Sequence, residues 1–409
     1  MSNLLESLPK VILKPRRAQP FFARHPWVFS GAIARIEGEP AAGAEVALVT
    51  EHGEFVARGL FNPISNIQVR LYGWDAQKPL DEAFWSERLD DAIRLRRDVL
   101  KITGLDLSRP GSACRLVYSE ADCMSGLVVD RYGDWLSVQL TSLALASRRE
   151  LLTRLLNEKL TPAGIWLRTE RGIRAAEGLE IADGLMCGAE PPRPLVIKEH
   201  GLRYAVDIVE GQKTGFFLDQ RDNRREAARY VRAGGRVLDL CCYTAGFAMN
   251  AVRHGAAKEV LAVDVSEPAL GTARANVEAN GLTEAIRFEK SDAFKALEAL
   301  RGAGERFDLV ILDPPKLARH ARGIAEALRG YHSLNRLAME VLEGDGILVT
   351  CSCTGYVERQ MFEEMLADAA RSAKRRMQIL EVRGASADHP TSVACKETDY
   401  LKCYIGRVY

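Results

Sequence analysis

The chain has 409 residues, of which 47% are hydrophobic and 27% charged, and its formal net charge is +1. These are the proportions of a soluble globular protein with room for two or three cores. They exclude a wholly basic coat protein but not local basic faces, because a field depends on where the charges sit. No apolar run approaches the roughly 18 residues of a membrane-spanning helix. Met1 to Lys10 carries Glu6 and Pro9 in place of a secretory apolar core, and nine scattered cysteines do not form a secreted disulfide framework. A cytoplasmic protein without membrane contact is expected. Neither Cys241-Cys242 nor Cys351-Ser352-Cys353 is a CxxC pair with histidine at zinc spacing, so no metal site is expected.

In chain order, residues 1–75 hold short β-like runs, Val11–Leu13, Glu45–Thr50, Phe55–Leu60 and Ile67–Tyr72, separated by Gly, Pro and Asn. They predict a small β-barrel or compact sheet. Its first 35 residues set Lys10, Lys14, Arg16, Arg17, Arg24 and Arg35 against Glu6 alone, interleaved with Phe21, Phe22, His25, Trp27 and Phe29. Cations beside aromatic rings suit phosphate contact and base stacking; a solvated edge over an aromatic core is the alternative.

Residues 76–195 read as an α+β domain. A helix is predicted over Phe84–Leu100, its apolar face carrying Leu89, Ala92, Ile93, Val99 and Leu100 and its other side the arginines. Strands Cys114–Tyr118, Leu127–Asp130 and Trp135–Leu140 follow, then a helix over Ala146–Lys159. The stiff stretch Glu190-Pro-Pro-Arg-Pro194 marks a boundary.

Residues 196–409 alternate strand and helix, with strands at Arg236–Leu240, Val260–Asp264, Ile286–Glu289, Phe307–Leu312 and Gly346–Thr350 and two final strands near Gln378–Arg383 and Tyr400–Val408. That pattern predicts an α/β fold, a mostly parallel sheet with helices on both faces that binds ligands beyond the carboxyl ends of its strands. The motifs stand at those ends. Asp239 closes the first strand before a turn containing Thr244 and Gly246, Asp264 closes the second, and Ser291-Asp292-Ala293 follows the third. The first turn lacks the glycines of a dinucleotide fingerprint and the lysine of a P-loop. An acid after the second strand can grip ribose hydroxyls, and a polar group after the third can meet an exocyclic amine, so the three acids in order describe a site for an adenosine-like ligand. Singly, each also suits a helix cap. The fourth strand ends Asp313-Pro-Pro-Lys316 and the fifth Cys351-Ser-Cys353, which puts a thiol at the lip of the same cleft, where it is either a nucleophile or a small core residue. Lys316, Arg319, Arg322, Arg329 and Arg336 follow, the last three seven apart, so on one helix they form a stripe.

On these residues, together with the blocks Arg24-His-Pro-Trp-Val-Phe-Ser-Gly31 and Gly211-Gln-Lys-Thr-Gly-Phe-Phe-Leu-Asp-Gln-Arg221, the chain resembles the class I S-adenosylmethionine-dependent methyltransferases. It resembles in particular the bacterial large-subunit (23S) rRNA cytosine-C5 methyltransferases with an N-terminal PUA domain. The resemblance covers nearly the whole chain. It implies a Rossmann-like domain with a seven-stranded sheet over 196–409, a PUA-like RNA-binding domain over 1–75 and a middle α+β domain over 76–195. It further implies S-adenosyl-L-methionine held by Phe217, Gln220, Arg221, Asp239, Tyr243, Thr244, Gly246, Asp264, Ser291, Asp292, Ala293 and Asp313. Catalysis falls to Cys353 as thiolate and to Asp313, and RNA contact to Lys14, Arg24, His25, Trp27, Lys316, Arg322 and Arg329. Lys316 or the donor's sulfonium is the expected source of the positive charge that ionises the thiol. The sequence departs from the pattern of many RNA cytosine-C5 enzymes after the fourth-strand proline, where a second cysteine is replaced by Pro315-Lys316. Lys316 also replaces the aromatic ring of amino-group methyltransferases. Guanine-N7 methylation and a non-catalytic RNA-binding module with a decayed fold are the competing readings, and a second copy of the chain is a candidate partner.

Overall fold

The structure, a computed structural model, describes residues 7–102, 112–211, 214–318 and 320–409. Met1 to Glu6, Gln212, Lys213 and Arg319 therefore lie outside the described residues. Two compact units share the chain: Met1–Ile197 with Val206–Leu218 and Ala387–Thr398, and Lys198–Ala205 with Asp219–Ser386 and Asp399–Tyr409.

The first unit contains two sheets. A six-stranded sheet runs in the order Trp27–Phe29, Ile67–Gly73, Phe55–Phe61, Glu45–Val49, Lys10–Leu13 and Ile33–Glu37. Alternate residues of these runs, among them Val11, Leu13, Val28, Val46, Leu48, Val69 and Leu71, close over one core. The second sheet has five strands, ordered Gly184–Gly188, Gly164–Arg168, Trp135–Leu140, Leu127–Tyr132 and Ala113–Tyr118. Helices Glu82–Arg94 and Arg149–Leu160 supply Phe84, Trp85, Leu89, Leu152 and Leu156 to its core.

The expected helix over Phe84–Leu100 is corrected in its last turns. The α-helix ends at Arg94 and Leu95–Val99 winds as a π-helix. A π turn holds one residue more than an α turn, so the buried face slips. Arg96 moves inside and is fully buried, while Val99 is two-thirds exposed. The buried guanidinium of Arg96 donates to Asp122 (2.5 Å) and to the Asp388 carbonyl (2.8 Å). Asp388 also accepts the Arg115 backbone N–H (2.9 Å), and Arg115 forms a bidentate pair with Asp130 (2.7 and 2.7 Å). Thr214 of the Gly211–Arg221 block is buried and bonds Asp130 and Tyr132 in this network.

The second unit is built on one seven-stranded sheet. Its strands are β1 (Arg236–Leu240), β2 (Glu259–Asp264), β3 (Ile286–Lys290), β4 (Phe307–Leu312), β5 (Leu342–Ser352), β6 (Met377–Arg383) and β7 (Lys402–Val408). The order is β3-β2-β1-β4-β5-β7-β6, with β7 antiparallel to both neighbours and the other pairs parallel. This is the expected α/β class I methyltransferase arrangement. Helices α1 (Arg221–Ala228), α2 (Gly246–Gly255), α3 (Glu267–Ala279), α4 (Ala293–Gly302), α5 (Ile324–Glu340) and α6 (Arg359–Ser372) accompany it. The central strand β4 is apolar and buried over most of its length, as a strand covered on both faces must be. Because β1 to β5 are parallel, their carboxyl ends lie along one edge, and the candidate residues stand there. Among the described residues no helix is long and apolar enough to cross a membrane.

Gly246 opens α2 where a Cβ would lie 2.7 Å from Cδ of Arg224. The buried Arg224 guanidinium grips Glu199 through two bonds, 2.9 and 2.7 Å. Overpacking of this kind costs about 1–3 kcal/mol. Gly246→Ala should lower the urea midpoint of the ligand-free protein accordingly; an unchanged midpoint would show that Arg224 yields freely.

Candidate active site

Between β1 and α2 the chain turns through Cys241 to Ala245, and three non-glycine residues there, Cys241, Tyr243 and Ala245, have φ of 60°, 49° and 65°. Left-handed backbone costs roughly 1–2 kcal/mol at such a residue, so the surroundings must hold the turn. The Cys242 N–H donates to the Val263 carbonyl (3.0 Å), the Tyr243 N–H to Asp264 Oδ2 (2.9 Å) and Asn276 Nδ2 to the Thr244 carbonyl (3.2 Å).

Asp239 is 1% exposed; its Oδ2 accepts the Ala248 N–H (2.9 Å) and its Oδ1 has no hydrogen-bond partner among the described residues. Thr244 Oγ1 is likewise buried and unpartnered. Burial pushes the Asp239 carboxyl up to about 8, against the pull of the Ala248 N–H, with the charges of Asp313 and Asp264 adding to the rise. Asp264 spends one oxygen on the Tyr243 N–H and the other on the Ser266 N–H (2.9 Å), which leaves each a lone pair. Asp292 is exposed and caps α4, its Oδ1 accepting the Phe294 and Lys295 N–H groups (3.0 and 3.3 Å). The capping role open to each acid in the sequence is thus filled by Asp292. Ser291 donates its backbone N–H to the Asp264 carbonyl (3.1 Å), and Ala293 takes the first helical position, where an N–H has no intrahelical acceptor.

These acids meet around one turn. Burial first, then the charges of Asp264, Asp313, Asp239 and Asp292, push the Cys241 thiol far above its ordinary value. The charges of Asp264, Asp313 and Asp292 make a negative field at this turn, which Asp239 joins only as it ionises near pH 8, and such a field favours a cationic ligand. A sulfonium-bearing donor suits it, and the unpartnered Asp239 Oδ1 and Thr244 Oγ1 offer polar contacts that the protein leaves unfilled. Burial also keeps Cys242 protonated, so neither cysteine of this turn is a nucleophile.

Gln220 and Arg221 open α1. Gln220 is buried, its Nε2 donating to Asp313 Oδ2 (3.0 Å) and its Oε1 accepting from Asn223 Nδ2 (2.7 Å). Expected at the cofactor, it orients the Asp313 carboxylate. Arg221 lies 3.6 Å from Asp222. Phe217 is half-buried and belongs to the first unit.

The other half of the site follows β4 and β5. Cys353 is half-buried just past the end of β5, and its neighbours are tied down from three directions. Ser352 Oγ donates to the Tyr331 hydroxyl (3.0 Å), which lies 2.8 Å from Thr354 Oγ1. The Leu317 N–H, from the loop after Asp313-Pro-Pro-Lys316, donates to the same Thr354 oxygen (3.2 Å), and Lys402 Nζ donates to the Thr354 carbonyl (2.7 Å). Burial pushes the Tyr331 phenol up to about 12, and the charges of Cys353 and Asp313 both contribute. One hydroxyl therefore senses thiol and carboxylate together. Cys351 is fully buried, faces Cys403 across the β5–β7 pair and is held protonated by that contact and by burial.

Tyr331, Asn223 and Lys402 were not anticipated as site residues. Tyr331 and Lys402 carried a signal: a hydroxyl in the apolar run of α5, and a lysine heading the buried strand Lys402-Cys-Tyr-Ile405. The expected basic stripe is corrected. The α-helix begins at Ile324, so Arg322 sits in a preceding 3₁₀ turn, and Arg336 pairs with Glu340 (2.6 Å). Lys316, Arg322 and Arg329 are exposed, and Arg319 lies outside the described residues.

In the first unit Lys14, Arg16, Arg17 and Arg24 are exposed, as are Phe22 and Phe29 (44% and 47%). Lys14 donates to the Gly31 carbonyl. Trp27 is half-buried and its indole N–H donates to Glu120 (3.0 Å) and Ser125 (3.2 Å). His25 Nδ1 accepts the Trp27 backbone N–H (3.3 Å), and its Nε2 lies 3.5 Å from Glu397, beside Cys395. That bond places the ring proton on Nε2 and leaves no lone pair there for a cation, so the His–Cys–Glu group reads as hydrogen bonding.

Residues 115–390 match the profile of the S-adenosylmethionine-dependent methyltransferase family. The chain belongs to this family. Residues 11–74 match a PUA-like domain. Full-length relatives named ribosomal RNA large subunit methyltransferase I are 41% identical in Photobacterium profundum, over 97% of this chain and 99% of theirs, and 39% identical in Escherichia coli, over 98% and 99%. A protein from Streptococcus mutans described as a SAM-dependent methyltransferase shares the fold at 20% identity (TM-score 0.82, covering 97% of this chain and 99% of that one). A methyltransferase structure complexed with SAH does so at a TM-score of 0.83, with the same identity and coverage. The family's cofactor is S-adenosylmethionine, and the acidic turn has polar groups that could hold it.

Asp239 supplies a pH test. Its folded-state value, about 8, lies above the ordinary 3.8, so the ligand-free protein loses stability as pH rises from about 4 to about 8. Asp239→Asn should raise the melting temperature of the ligand-free protein at pH 8, with the gain shrinking to nothing near pH 4. A gain independent of pH would disprove the assignment.

Proposed function

We propose that this protein transfers a methyl group from S-adenosylmethionine to carbon 5 of a cytosine in large-subunit ribosomal RNA. The observation that carries this reading is the bond network that ties the loop after Asp313 to the loop of Cys353: Thr354 Oγ1 accepts the Leu317 N–H and bonds Tyr331, which also accepts from Ser352. The relatives' name supports ribosomal RNA as substrate.

Carbon 5 of cytosine is a poor nucleophile. The Cys353 thiolate adds to carbon 6, a sulfur–carbon bond forms, and the 5,6 double-bond electrons move to carbon 5. S-adenosylmethionine, when bound, would supply an electrophilic methyl on a positive sulfur, which carbon 5 takes while the electrons of the broken methyl–sulfur bond stay with the donor as a neutral thioether. Asp313, aimed by Gln220, contacts N3 or the exocyclic amine, where charge develops. Loss of the carbon-5 proton then returns electrons to the ring and expels Cys353 as thiolate. Cys351 is buried against Cys403 and takes no part, so the proton leaves to water or to Asp313. A paired cytosine must leave its helix to reach the thiol. Lys14 and Arg24 in the PUA-like domain, and Lys316, Arg322 and Arg329 after β4, are exposed cations suited to phosphate. His25 and Trp27 shape the surface around the exposed Phe22 and Phe29, with their own ring N–H groups engaged inside the protein.

Incubation with labelled donor and unmodified ribosomal RNA, followed by digestion to nucleosides, should place the label in 5-methylcytidine. Label in 7-methylguanosine, or none, rejects the reading. Cys353→Ala should cut transfer by roughly 10³-fold or more with S-adenosylhomocysteine affinity unchanged; retained activity excludes Cys353 as nucleophile. For the RNA surface, Lys14→Ala and Arg24→Ala should each reduce the slope of log affinity against log salt by about 0.7 on single-stranded RNA. A slope equal to the parent's removes that residue from the contact.

A further inference from the structure

Lys402 heads β7 opposite Ser352 of β5 and is 2% exposed. Its Nζ donates to the Thr354 carbonyl (2.7 Å) and the Tyr400 carbonyl (2.9 Å). An ammonium has three donors, and among the described residues no hydrogen-bond acceptor takes the third. Burying a lysine is costly, and a methionine of similar length would pack there without that cost. The position is informative: the residue paired with Lys402 precedes Cys353 and the carbonyl it grips follows Cys353. Lys402 and Cys353 also sense each other's charge.

We propose that Lys402 is the cation that keeps Cys353 ionised and holds its loop in place, as a positioning residue for the nucleophile. The inference rests on the reading of Cys353 given above. Lys316, the expected source, is exposed to solvent, where its charge is screened; Lys402 acts from a buried position at fixed geometry. The charged groups around the pair are Asp399, which favours the ammonium, Arg359 and Lys316, which oppose it, and Asp313; the titratable Tyr331 phenol, also on the side of Cys353, is neutral. Burial lowers Lys402 to about 8 despite Asp399 and Cys353, so near neutral pH the amine is still mostly protonated. Above pH 8 the support fades.

The test is the rate of Cys353 alkylation by iodoacetamide against pH, read by peptide mass spectrometry so that the other cysteines do not interfere. In the parent protein the apparent thiol pKa should lie about one unit below the free value near 8.5. Lys402→Met should raise it by about one unit, slowing alkylation at pH 7 about tenfold, and should shift the acidic limb of the kcat profile upward by the same amount with S-adenosylhomocysteine affinity unchanged. Lys402→Arg should restore part of the alkylation rate. A parent value at or above 8.5 overturns the proposal even if the methionine variant does not fold, and so does a profile unmoved in a folded Lys402→Met protein. If instead Cys353→Ala is active, the cytosine-C5 reading fails whatever the alkylation shows.

Discussion

The second unit is organised around the meeting of like charges at one edge of a parallel sheet. Parallel strands deliver their carboxyl ends to the same side, so an aspartate at or just after each of four strands is brought toward one turn. Such a cluster is unfavourable in isolation, and the protein answers it with neutral donors. Backbone N–H groups of Tyr243, Ser266, Ala248, Phe294 and Lys295 and the amide of Gln220 hold the four carboxylates in place. Burial keeps Asp239 mostly protonated at neutral pH; for the other three, dipoles fix the positions of the charges without cancelling them, and the remaining field is available to a positive ligand. The left-handed residues of the Cys241–Ala245 turn belong to the same economy of space, since they let a tight turn form without the glycines that other nucleotide-binding loops use.

A second constraint joins the two loops that carry the reactive groups. The segment after β4 presents Asp313 and the segment after β5 presents Cys353, and Thr354 links them by accepting the Leu317 N–H while it bonds Tyr331. The two loops are therefore tied through a small buried hydroxyl network of Tyr331 on α5 with Ser352 and Thr354 at the end of β5. Such networks are effective only when every member is satisfied, which gives Tyr331 a structural weight out of proportion to its single oxygen.

Much of the catalytic unit was legible in the sequence because its strands are short apolar runs punctuated by acids. Arg236–Leu240 and Phe307–Leu312 have the same limits in sequence and structure. The carboxylates were legible because each stands where a strand must end. What escaped depended on partners far away in the chain. Arg96 reads as a surface arginine until a π turn carries it inward to Asp122 and Asp388. Gly246 reads as a cofactor glycine, yet Arg224 occupies the space beside it. Gln220 was recognised as a site residue but not as the group that orients Asp313, and Lys402 shows in the sequence only as a lysine heading an apolar strand, its place beside Cys353 emerging when β7 is paired with β5. Strands Gly164–Arg168 and Gly184–Gly188 were not expected, because segments of five residues carry little periodic signal.

The Asp388 contacts have a consequence for biosynthesis. Domains on a nascent chain tend to fold in order of emergence, but the first unit includes Ala387–Thr398, near the carboxyl terminus. Until that segment leaves the ribosome, Arg96 lacks the carbonyl it binds and the Arg115 N–H lacks its carboxylate. The interior of the first unit is therefore completed only after residues 387–398 have been translated, and a chain stalled before codon 387 would leave the Arg96 guanidinium and the Arg115 N–H without these acceptors.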